Sequence, residues 1–388
     1  MPKGLPSAAE LMAERAVTFF SIDTDVIQAL GYKFEEGALK ALNLQRPNWI
    51  KVCLTEVVHR EVINHRMDPV VQAARELRSA FTNIQRLSGI DTKVISEAVD
   101  KLPFETEARN RFENELNNFV ARLSGEILVL DGTDLAAEMF SRYFNGEAPF
   151  ESRKEKKFEF PDAAALLVLE SYGKSHNTRG ILISKDNGWS NFAENSDWLY
   201  CVKSLDDFVS LFESKGENAR LVKEKIKEGL SARENDFFLQ IESALKRDVE
   251  FATWVVGDVY TGFGLRVEWN VDGVGYSECY LDPDEMKVWF VEHDPSLCTV
   301  EIPVSVEVNL DIGTEFYQYD TIDHDDVNVA SDTISRVTSL DLDVFLTCRG
   351  NLLQDDVDEW EFEITISGGR YRVDVGEVNP DLSDSEEY

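Results

Sequence analysis

The spacing of apolar residues changes near residue 250, and this change divides the chain into two parts that fold differently. Before it, short apolar runs alternate with longer segments in which apolar residues recur every three or four positions, the period of an α-helix. After it, apolar and polar residues alternate with a period of two, as in VSVEVNLDI (304–312), which is typical of a strand with one buried face. The sequence therefore predicts an α/β domain followed by an antiparallel all-β domain, a sandwich or a barrel.

Five short apolar runs in the first part have the length and composition of buried strands. They are AVTFFSI (16–22), IKVCL (50–54), EILVLD (126–131), GILISKD (180–186) and LYCVKS (199–204). Helical segments separate them, and strands that alternate with helices favour a parallel sheet covered by helices on both faces.

The charge distribution supports the same division. The net charge of the 388-residue chain is −34, and residues 251–388 hold 32 acidic residues against 6 basic ones. Such asymmetry between segments is a domain signal. We therefore assign residues 1–212 to the α/β domain, 213–249 to a helical connector, 250–378 to an acidic antiparallel β domain and 379–388 to an acidic tail.

Several classes of protein are disfavoured by composition. No apolar run is long enough to span a bilayer, and the N-terminus has no secretory signal, so we expect no membrane association. The five cysteines form no CxxC pair or Cys/His cluster, which argues against a zinc site and for reduced thiols in a cytoplasmic protein.

Acidic residues follow the ends of the predicted strands. Asp23 follows the first strand, Glu56 and Glu61 lie in the helix after the second, and Asp186 follows the fourth. Asp162 begins the helix that leads into the fourth strand. In open parallel sheets, ligands bind outside the carboxyl ends of the strands, so we expect these acids to lie at one edge.

Each acid taken alone has a simpler local explanation. Asp23 can end its strand in a turn with Thr24, Asp162 can cap a helix after Pro161, and Asp186 can form a turn in KDNG. Several carboxylates at the same edge would repel one another, however, and a hard divalent cation removes that conflict. Mg²⁺ fits best and Mn²⁺ is the alternative, since Mg²⁺ retains several waters and needs few carboxylate ligands.

Four short motifs, in this order, resemble the PIN-domain nucleases: SIDTDVI, LTEVVHREVINH, FPDAAALL and ISKDNGW. The resemblance covers residues 16–208 and implies a Rossmann-like, metal-dependent ribonuclease. It implies the catalytic residues Asp23, Glu61, Asp162 and Asp186, of which the three aspartates are metal ligands. Glu56 is the alternative to Glu61.

The resemblance also implies supporting roles and contains two departures. Thr24 and Ser184 are expected to hydrogen-bond the ligands, and Lys185 to hold the substrate backbone. The cluster RKEKK (153–157) is a second candidate for that contact, but its interruption by glutamate favours a solvated loop. Residues 66–124 exceed a minimal PIN domain, which predicts a helical insertion that caps the site. Gly188 stands where a further acid is expected, which leaves open whether one or two metal ions bind.

We therefore predict a metal-dependent endonuclease that acts on RNA rather than DNA. Toxins and phage-defence effectors are common in such a family, and the expected partner is nucleic acid, with oligomer formation open. One alternative is a haloacid-dehalogenase-type phosphatase, in which DTDVI supplies Asp23 as nucleophile and Asp25 as general acid. The other is an inactive PIN scaffold that serves as an interaction module.

The acidic domain has two interpretations. Many of its acids occupy alternate positions of the predicted strands, which favours a solvated sheet face. The alternative is a surface that mimics nucleic-acid charge and either restrains the nuclease or binds a basic protein partner. In the last strands, Gly368-Gly369 separates two alternating runs, which predicts a hairpin.

Overall fold

The computed structural model describes residues 7, 10–11, 15–89, 91–131, 133–150, 159–257, 259–262, 264–291, 294–320 and 325–380. The predicted basic cluster 153–157 and most of the acidic tail lie outside these residues. The chain divides into two compact units. Unit 1 comprises residues 1–35 and 46–212, and unit 2 comprises residues 36–45 and 213–388.

Unit 1 contains a five-stranded parallel sheet. Its strands are β1 (Val17–Ile22), β2 (Lys51–Thr55), β3 (Glu126–Leu128), β4 (Arg179–Ile183) and β5 (Leu199–Val202). They lie in the order β3-β2-β1-β4-β5, and every neighbouring pair is parallel. The predicted α/β architecture is confirmed, and each strand falls within one residue of a predicted apolar run or inside it.

Helices connect these strands. In the described part of the chain, and in chain order, the α-helices bounded on both sides are α1 (Thr24–Ala29), α2 (Gly37–Gln45), α3 (Glu56–Ser88), α4 (Lys93–Asp100), α5 (Phe104–Arg122), α6 (Thr133–Asn145), α7 (Phe160–Ser175), α8 (Asn187–Asn195), α9 (Leu205–Ser210), α10 (Glu217–Ser231) and α11 (Asp236–Phe251). The described residues of the predicted insertion, 66–124, are mostly helical and form the distal part of α3 together with α4 and α5.

The topology determines where acidic side chains can meet. The strand order reverses direction between β1 and β4, which are hydrogen-bonded neighbours. A helix that follows or precedes a parallel strand runs back along the sheet, so its N-terminus lies at the carboxyl ends of the strands. The starts of α1, α3, α7 and α8 therefore gather at the edge where β1 and β4 end.

Unit 2 is built on an antiparallel sheet. Its strands are β6 (Thr253–Val256), β7 (Val259–Tyr260), β8 (Arg266–Leu281), β9 (Lys287–Val291), β10 (Asp294–Asp320), β11 (Asp325–Arg349), β12 (Glu361–Ile366), β13 (Arg370–Val373) and β14 (Gly376–Glu377). The strands β12, β11, β10 and β8 lie side by side, and β9 also pairs with β10. The predicted antiparallel β architecture is confirmed.

Helices supply much of the unit 2 core. The sequence assigned 213–249 to a connector, yet α10 and α11 bury apolar side chains such as Ile226, Phe237 and Leu245 with the strand residues of one cluster. Helix α2 belongs to the same unit, and Leu39 and Leu42 are 1% and 0% exposed. The chain therefore leaves unit 1 after Glu35 and returns at Arg46.

The predicted hairpin at Gly368-Gly369 is wrong. Strand β13 does not pair with β12 but runs parallel to β6, with Tyr371 opposite Trp254. A side chain at Gly368 would lie 1.5 Å from the Tyr371 hydroxyl, so this glycine permits a close approach rather than a tight turn.

Within the described residues, no helix combines the length and the apolar composition that a membrane crossing requires.

Candidate active site

Asp23 ends β1 and directs its carboxylate across the sheet rather than into a local turn. It occupies the N-cap position of α1, yet its side chain makes no capping hydrogen bond. Instead, Ser184 Oγ donates to Asp23 Oδ2 at 2.5 Å. Asp23 is 8% exposed, and burial, together with the charges of Asp162 and Asp25, raises the pKa of Asp23 to about 7 despite the Ser184 hydrogen bond.

Asp162 lies in the first turn of α7, where Glu159 and not Asp162 is the N-cap residue. The side chain is therefore available for a tertiary contact, and the Trp189 indole Nε1 donates to Asp162 Oδ1 at 2.9 Å. Burial raises the pKa of Asp162 to about 6 despite this hydrogen bond. The charges of Asp186, Glu61 and Asp25 act in the same direction, so these acids face a common space.

Asp186 does satisfy the local explanation, because it caps helix α8. Its Oδ1 accepts hydrogen bonds from the backbone N–H of Gly188 at 2.5 Å and of Trp189 at 3.2 Å. Gly188 makes this possible, since a Cβ at that position would lie 2.8 Å from Asp186 Oδ1. Gly188, which stands where a further acid was expected, is therefore needed for the Asp186 cap of α8.

The two candidate glutamates on α3 point to different neighbours. Thr24 Oγ1 donates to Glu61 Oε2 at 2.8 Å, and the charge of Glu61 contributes to the raised pKa of Asp162. Glu56 instead pairs with Arg60 one turn along the helix and accepts from the backbone N–H of Leu130 at 3.4 Å. The structure groups Glu61, and not Glu56, with the aspartates.

Hydrogen bonds link the three aspartates into a continuous chain. Ser184 Oγ, which donates to Asp23, also accepts from the backbone N–H of Asp186 at 3.0 Å. Trp189 holds Asp186 through its backbone and Asp162 through its indole. Ser184 is 0% exposed and Trp189 is 1% exposed, so two buried side chains fix the relative positions of three carboxylates.

The predicted lysine lies beside this chain. Lys185 is exposed at the turn between β4 and α8. Sequence reasoning missed Lys203, whose side chain contacts the same turn. Its Nζ lies 3.4 Å from the carbonyl oxygens of Lys185 and Asp186 and 2.7 Å from Ser190 Oγ. Two cations therefore stand next to the acidic cluster.

Carboxylate oxygens remain available in this cluster. Among the described residues, no hydrogen-bond donor reaches Glu61 Oε1, Asp162 Oδ2 or Asp186 Oδ2. Unpaired carboxylate oxygens are ligands that hard divalent cations prefer. Yet in the parts of the chain that the structure describes, no three such side chains are arranged to hold an ion as they stand. Mg²⁺ retains several waters in proteins and therefore needs few direct carboxylate ligands.

Trp189 and Lys203 lacked a usable sequence signal. An N-cap side chain accepts a hydrogen bond from the backbone N–H three residues later. Trp189 is the third residue after Asp186, so its backbone contact with Asp186 follows from this rule. Its indole contact with Asp162 joins residues 27 positions apart. That contact depends on how α7 and α8 pack, which local patterns do not encode.

Comparison with protein families supports the α/β fold of unit 1. Residues 21–189 match a family model described as PIN domain. Comparisons with the curated proteins and with the solved structures found no match. PIN domains are generally nucleases, and they typically use divalent metals. Over residues 21–189, less than half of the chain, this protein is therefore similar to PIN domains.

Proposed function

We propose that this protein is a metal-dependent endonuclease with RNA as its substrate. One observation carries the proposal: four carboxylates from four separate elements of a PIN-like domain face one space at the carboxyl edge of the sheet. Burial, and to a smaller extent the charges of the neighbouring acids, raises the pKa of Asp23 and of Asp162, and a structure that needed these residues only for stability would gain by neutralising or pairing them.

The acidic cluster would hold Mg²⁺ or Mn²⁺. Asp23, Asp162 and Asp186 would be direct or water-mediated ligands, and Glu61 would orient water or complete the site. When bound, a divalent cation at this position supplies charge neutralisation at the scissile phosphate and lowers the pKa of an attacking water.

The residues around the cluster hold and tune these acids. Ser184 and Thr24 orient Asp23 and Glu61 by hydrogen bonds. Trp189 keeps one oxygen of Asp162 and one of Asp186 occupied, which leaves the other oxygen of each directed elsewhere. Lys185 and Lys203 would contact the phosphate backbone of the substrate, since both are exposed cations beside the site.

The finer assignments follow the family resemblance. RNA is preferred over DNA on that ground, and so are action as a toxin or a phage-defence effector and a cytoplasmic location. The acidic unit 2 would either restrain the nuclease or bind a basic partner, because its surplus of carboxylates repels nucleic acid.

The two alternative functions explain less of the site. A dehalogenase-type phosphatase would use Asp23 and Asp25, but it gives no role to the Trp189–Asp162 hydrogen bond or to Glu61. An inactive scaffold would not need all four acids. Neither alternative is favoured by an observation of its own.

The test is cleavage of mixed single-stranded RNA and DNA by the full-length protein with Mg²⁺ or Mn²⁺. We expect cleavage of RNA that is abolished by EDTA and by Asp23→Asn. Activity that survives both treatments would overturn the proposed site. Hydrolysis of simple phosphomonoesters that is lost in Asp25→Asn, without cleavage of RNA, would favour the phosphatase.

A further inference from the structure

Two phenylalanines on α6 expose their rings to solvent. Phe140 is 49% exposed and Phe144 is 78% exposed, and they lie four positions apart on the same face of the helix. Their ring centroids are 6.4 Å apart, and their planes are 27° from parallel. Because a phenylalanine ring gains free energy when it leaves water, two adjacent exposed rings are typical of a surface that binds a ligand.

Three further aromatic residues support these two rings. Tyr143 and Phe160 lie 5.1 Å apart between ring centroids, and Phe150 lies 5.4 Å from Tyr143 and 5.0 Å from Phe160. Phe140 contacts Phe160 at 5.8 Å, and Phe144 contacts Tyr143 at 5.3 Å. Phe150 is 1% exposed, so the exposed rings pack on a support that reaches into the core and fixes their positions.

This aromatic cluster adjoins the candidate active site at two points. Phe160 opens α7, and Asp162 follows it in the first turn of the same helix. Phe150 follows Pro149, whose Cβ lies 3.2 Å from the position that a Cβ would take at Gly188, in the first turn of α8. The cluster therefore lies next to the starts of both helices, at the carboxyl edge of the sheet.

Basic side chains on the same side of the sheet supply the charge that a nucleic-acid strand requires. Lys185 is exposed at the turn that leads into α8, and Lys203 contacts the same turn. On α6, Arg142 pairs with Glu138 at 3.1 Å, which offsets the charge of the acid that precedes Phe140. Phosphates can therefore contact the lysines while the bases of the same strand reach the aromatic rings.

Unpaired nucleobases are the ligand that fits this combination. Every base has a flat π-face, and stacking on an aromatic side chain stabilises its complex with little dependence on sequence. In a duplex these faces are covered by neighbouring base pairs, so protein rings stack on the bases of single strands, loops and ends. A second protein could also cover the rings, but the adjacent lysines and the proposed metal site favour a nucleic-acid strand.

We propose that Phe140 and Phe144 form a stacking platform for unpaired bases of the substrate, which makes the protein selective for single-stranded nucleic acid. The identity of the ligand rests on the proposed nuclease function. Tyr143 and Phe160 keep the two rings oriented beside the acids that would hold the metal. Because stacking does not distinguish one base from another, the platform selects single strands over duplexes and imposes little sequence preference.

The first test measures binding by fluorescence anisotropy, with a labelled single-stranded RNA of about 15 nucleotides, the upper range of such sites. All proteins are full-length and carry Asp23→Asn, so that the RNA stays intact in Mg²⁺. We expect Phe144→Ala to weaken binding about 10-fold, and Phe140→Ala combined with Phe144→Ala about 100-fold, the range for one and two lost stacking contacts. Phe144→Tyr, which keeps a ring, should bind like its parent.

The matched control for these variants is Phe251→Ala. Phe251 is 84% exposed on α11 and contacts no other aromatic ring among the described residues, so its loss should leave RNA binding unchanged. Phe144→Ala removes a ring that is mostly in solvent, so the fold should persist, and thermal unfolding of each variant checks this.

The second test asks whether the bases themselves are bound. The same RNA is offered intact, annealed to its complement, and as a strand with abasic sites. The parent protein should bind the intact single strand most tightly, and this preference should disappear when both phenylalanines are alanine. Absence of RNA binding by the parent, unchanged affinity in the double variant, or an equal loss for the intact and the abasic strand would each overturn the platform.

The platform and the nuclease can fail separately. Base-dependent binding that is lost in the alanine variants, together with no metal-dependent cleavage by the wild type, would retain the platform and overturn the nuclease. Metal-dependent cleavage of single-stranded RNA whose kcat/KM is the same with and without the two rings would retain the nuclease and overturn the platform. With both intact, the alanine variants should raise KM more than they lower kcat.

Discussion

At the scale of single residues, the site is distinguished by two acids, Asp23 and Asp162, whose local explanations fail. Asp23 occupies an N-cap position without capping, and Asp162 lies inside its helix rather than at the cap. Their carboxylates contact Ser184 and Trp189 on the neighbouring β4–α8 segment. The sequence indicated which acids follow strand ends, because strand ends are local features. It did not indicate Trp189, whose contact with Asp162 is tertiary.

Asparagine at Asp162 should stabilise the metal-free protein near neutral pH. The folded-state pKa of about 6 exceeds the ordinary value of 3.8, so this carboxyl favours folding below pH 3.8 and that contribution is lost as pH rises through 6. Asp162→Asn should raise the melting temperature at pH 7.5 by a few degrees, since about 1 kcal/mol corresponds to roughly 2–4 °C in a domain of this size. The gain should shrink as pH falls towards 4; a constant gain at all pH values would contradict the electrostatic cause.

Removing the indole N–H of Trp189 should weaken cation binding. Trp189→Phe keeps an aromatic ring but deletes the donor to Asp162 Oδ1, and loss of a hydrogen bond that orients a ligand typically costs roughly 10–100-fold in metal affinity. Calorimetric titration with Mn²⁺ measures this directly. Trp49→Phe is the matched control, because the Trp49 Nε1 is buried without a hydrogen-bond partner among the described residues. Equal affinity losses in the two variants would indicate a packing effect only.

At the scale of secondary-structure elements, the strands of unit 1 were predictable because each is a short apolar run between helical segments. The helices of residues 213–249 were predictable too, but their place in the core of unit 2 was not. The many charges of this segment indicated a connector, yet the apolar residues of α10 and α11 pack with the strands. The charged face was visible in the sequence, whereas the surface that receives the apolar face is formed by strands far along the chain.

At the start of α8, the Asp186 carboxylate lies so close to the backbone that only glycine fits at position 188. Gly188→Ala should disturb the Asp186 cap, since the added Cβ would lie 2.8 Å from Asp186 Oδ1 and 3.2 Å from Pro149 Cβ. Loss of an N-cap costs about 1 kcal/mol, and the displaced carboxylate should also lower nuclease activity. Chemical unfolding and cleavage assays measure the two effects. Gly275→Ala in β8 is the control, because a Cβ there would lie no nearer than 3.9 Å to another atom; similar effects in both variants would contradict this account.

At the scale of the whole molecule, the two units are interleaved along the chain, because α2 lies between two parts of unit 1 and belongs to unit 2. Its residues lie within the N-terminal part of the chain, yet they fold with unit 2, where Gln45 Nε2 donates to Glu301 Oε2 at 3.2 Å and Lys40 pairs with Glu363. A boundary near residue 212, drawn from periodicity and charge, treats α2 as part of the PIN-like domain. Periodicity identifies the helix correctly but does not indicate which core receives it.

A chain that ends at residue 212 should therefore be less soluble than the full-length protein. It retains α2 but lacks the strands that bury Leu39 and Leu42. Leu39→Ser with Leu42→Ser should improve the solubility of the shortened chain and lower the stability of the full-length one. Soluble yield and thermal unfolding measure both effects. A shortened chain that is equally soluble with and without these substitutions would contradict the assignment of α2.

The most direct test of the proposed nuclease site compares the two glutamates of α3. They lie five positions apart, and only Glu61 contributes to the charge around Asp162. The measurement is the rate of Mg²⁺-dependent RNA cleavage by the wild type, Glu61→Gln and Glu56→Gln. The account predicts a loss of at least roughly 100-fold for Glu61→Gln, in the range for groups that act in catalysis, and near wild-type cleavage for Glu56→Gln. Full activity in Glu61→Gln, or a loss confined to Glu56→Gln, would contradict it.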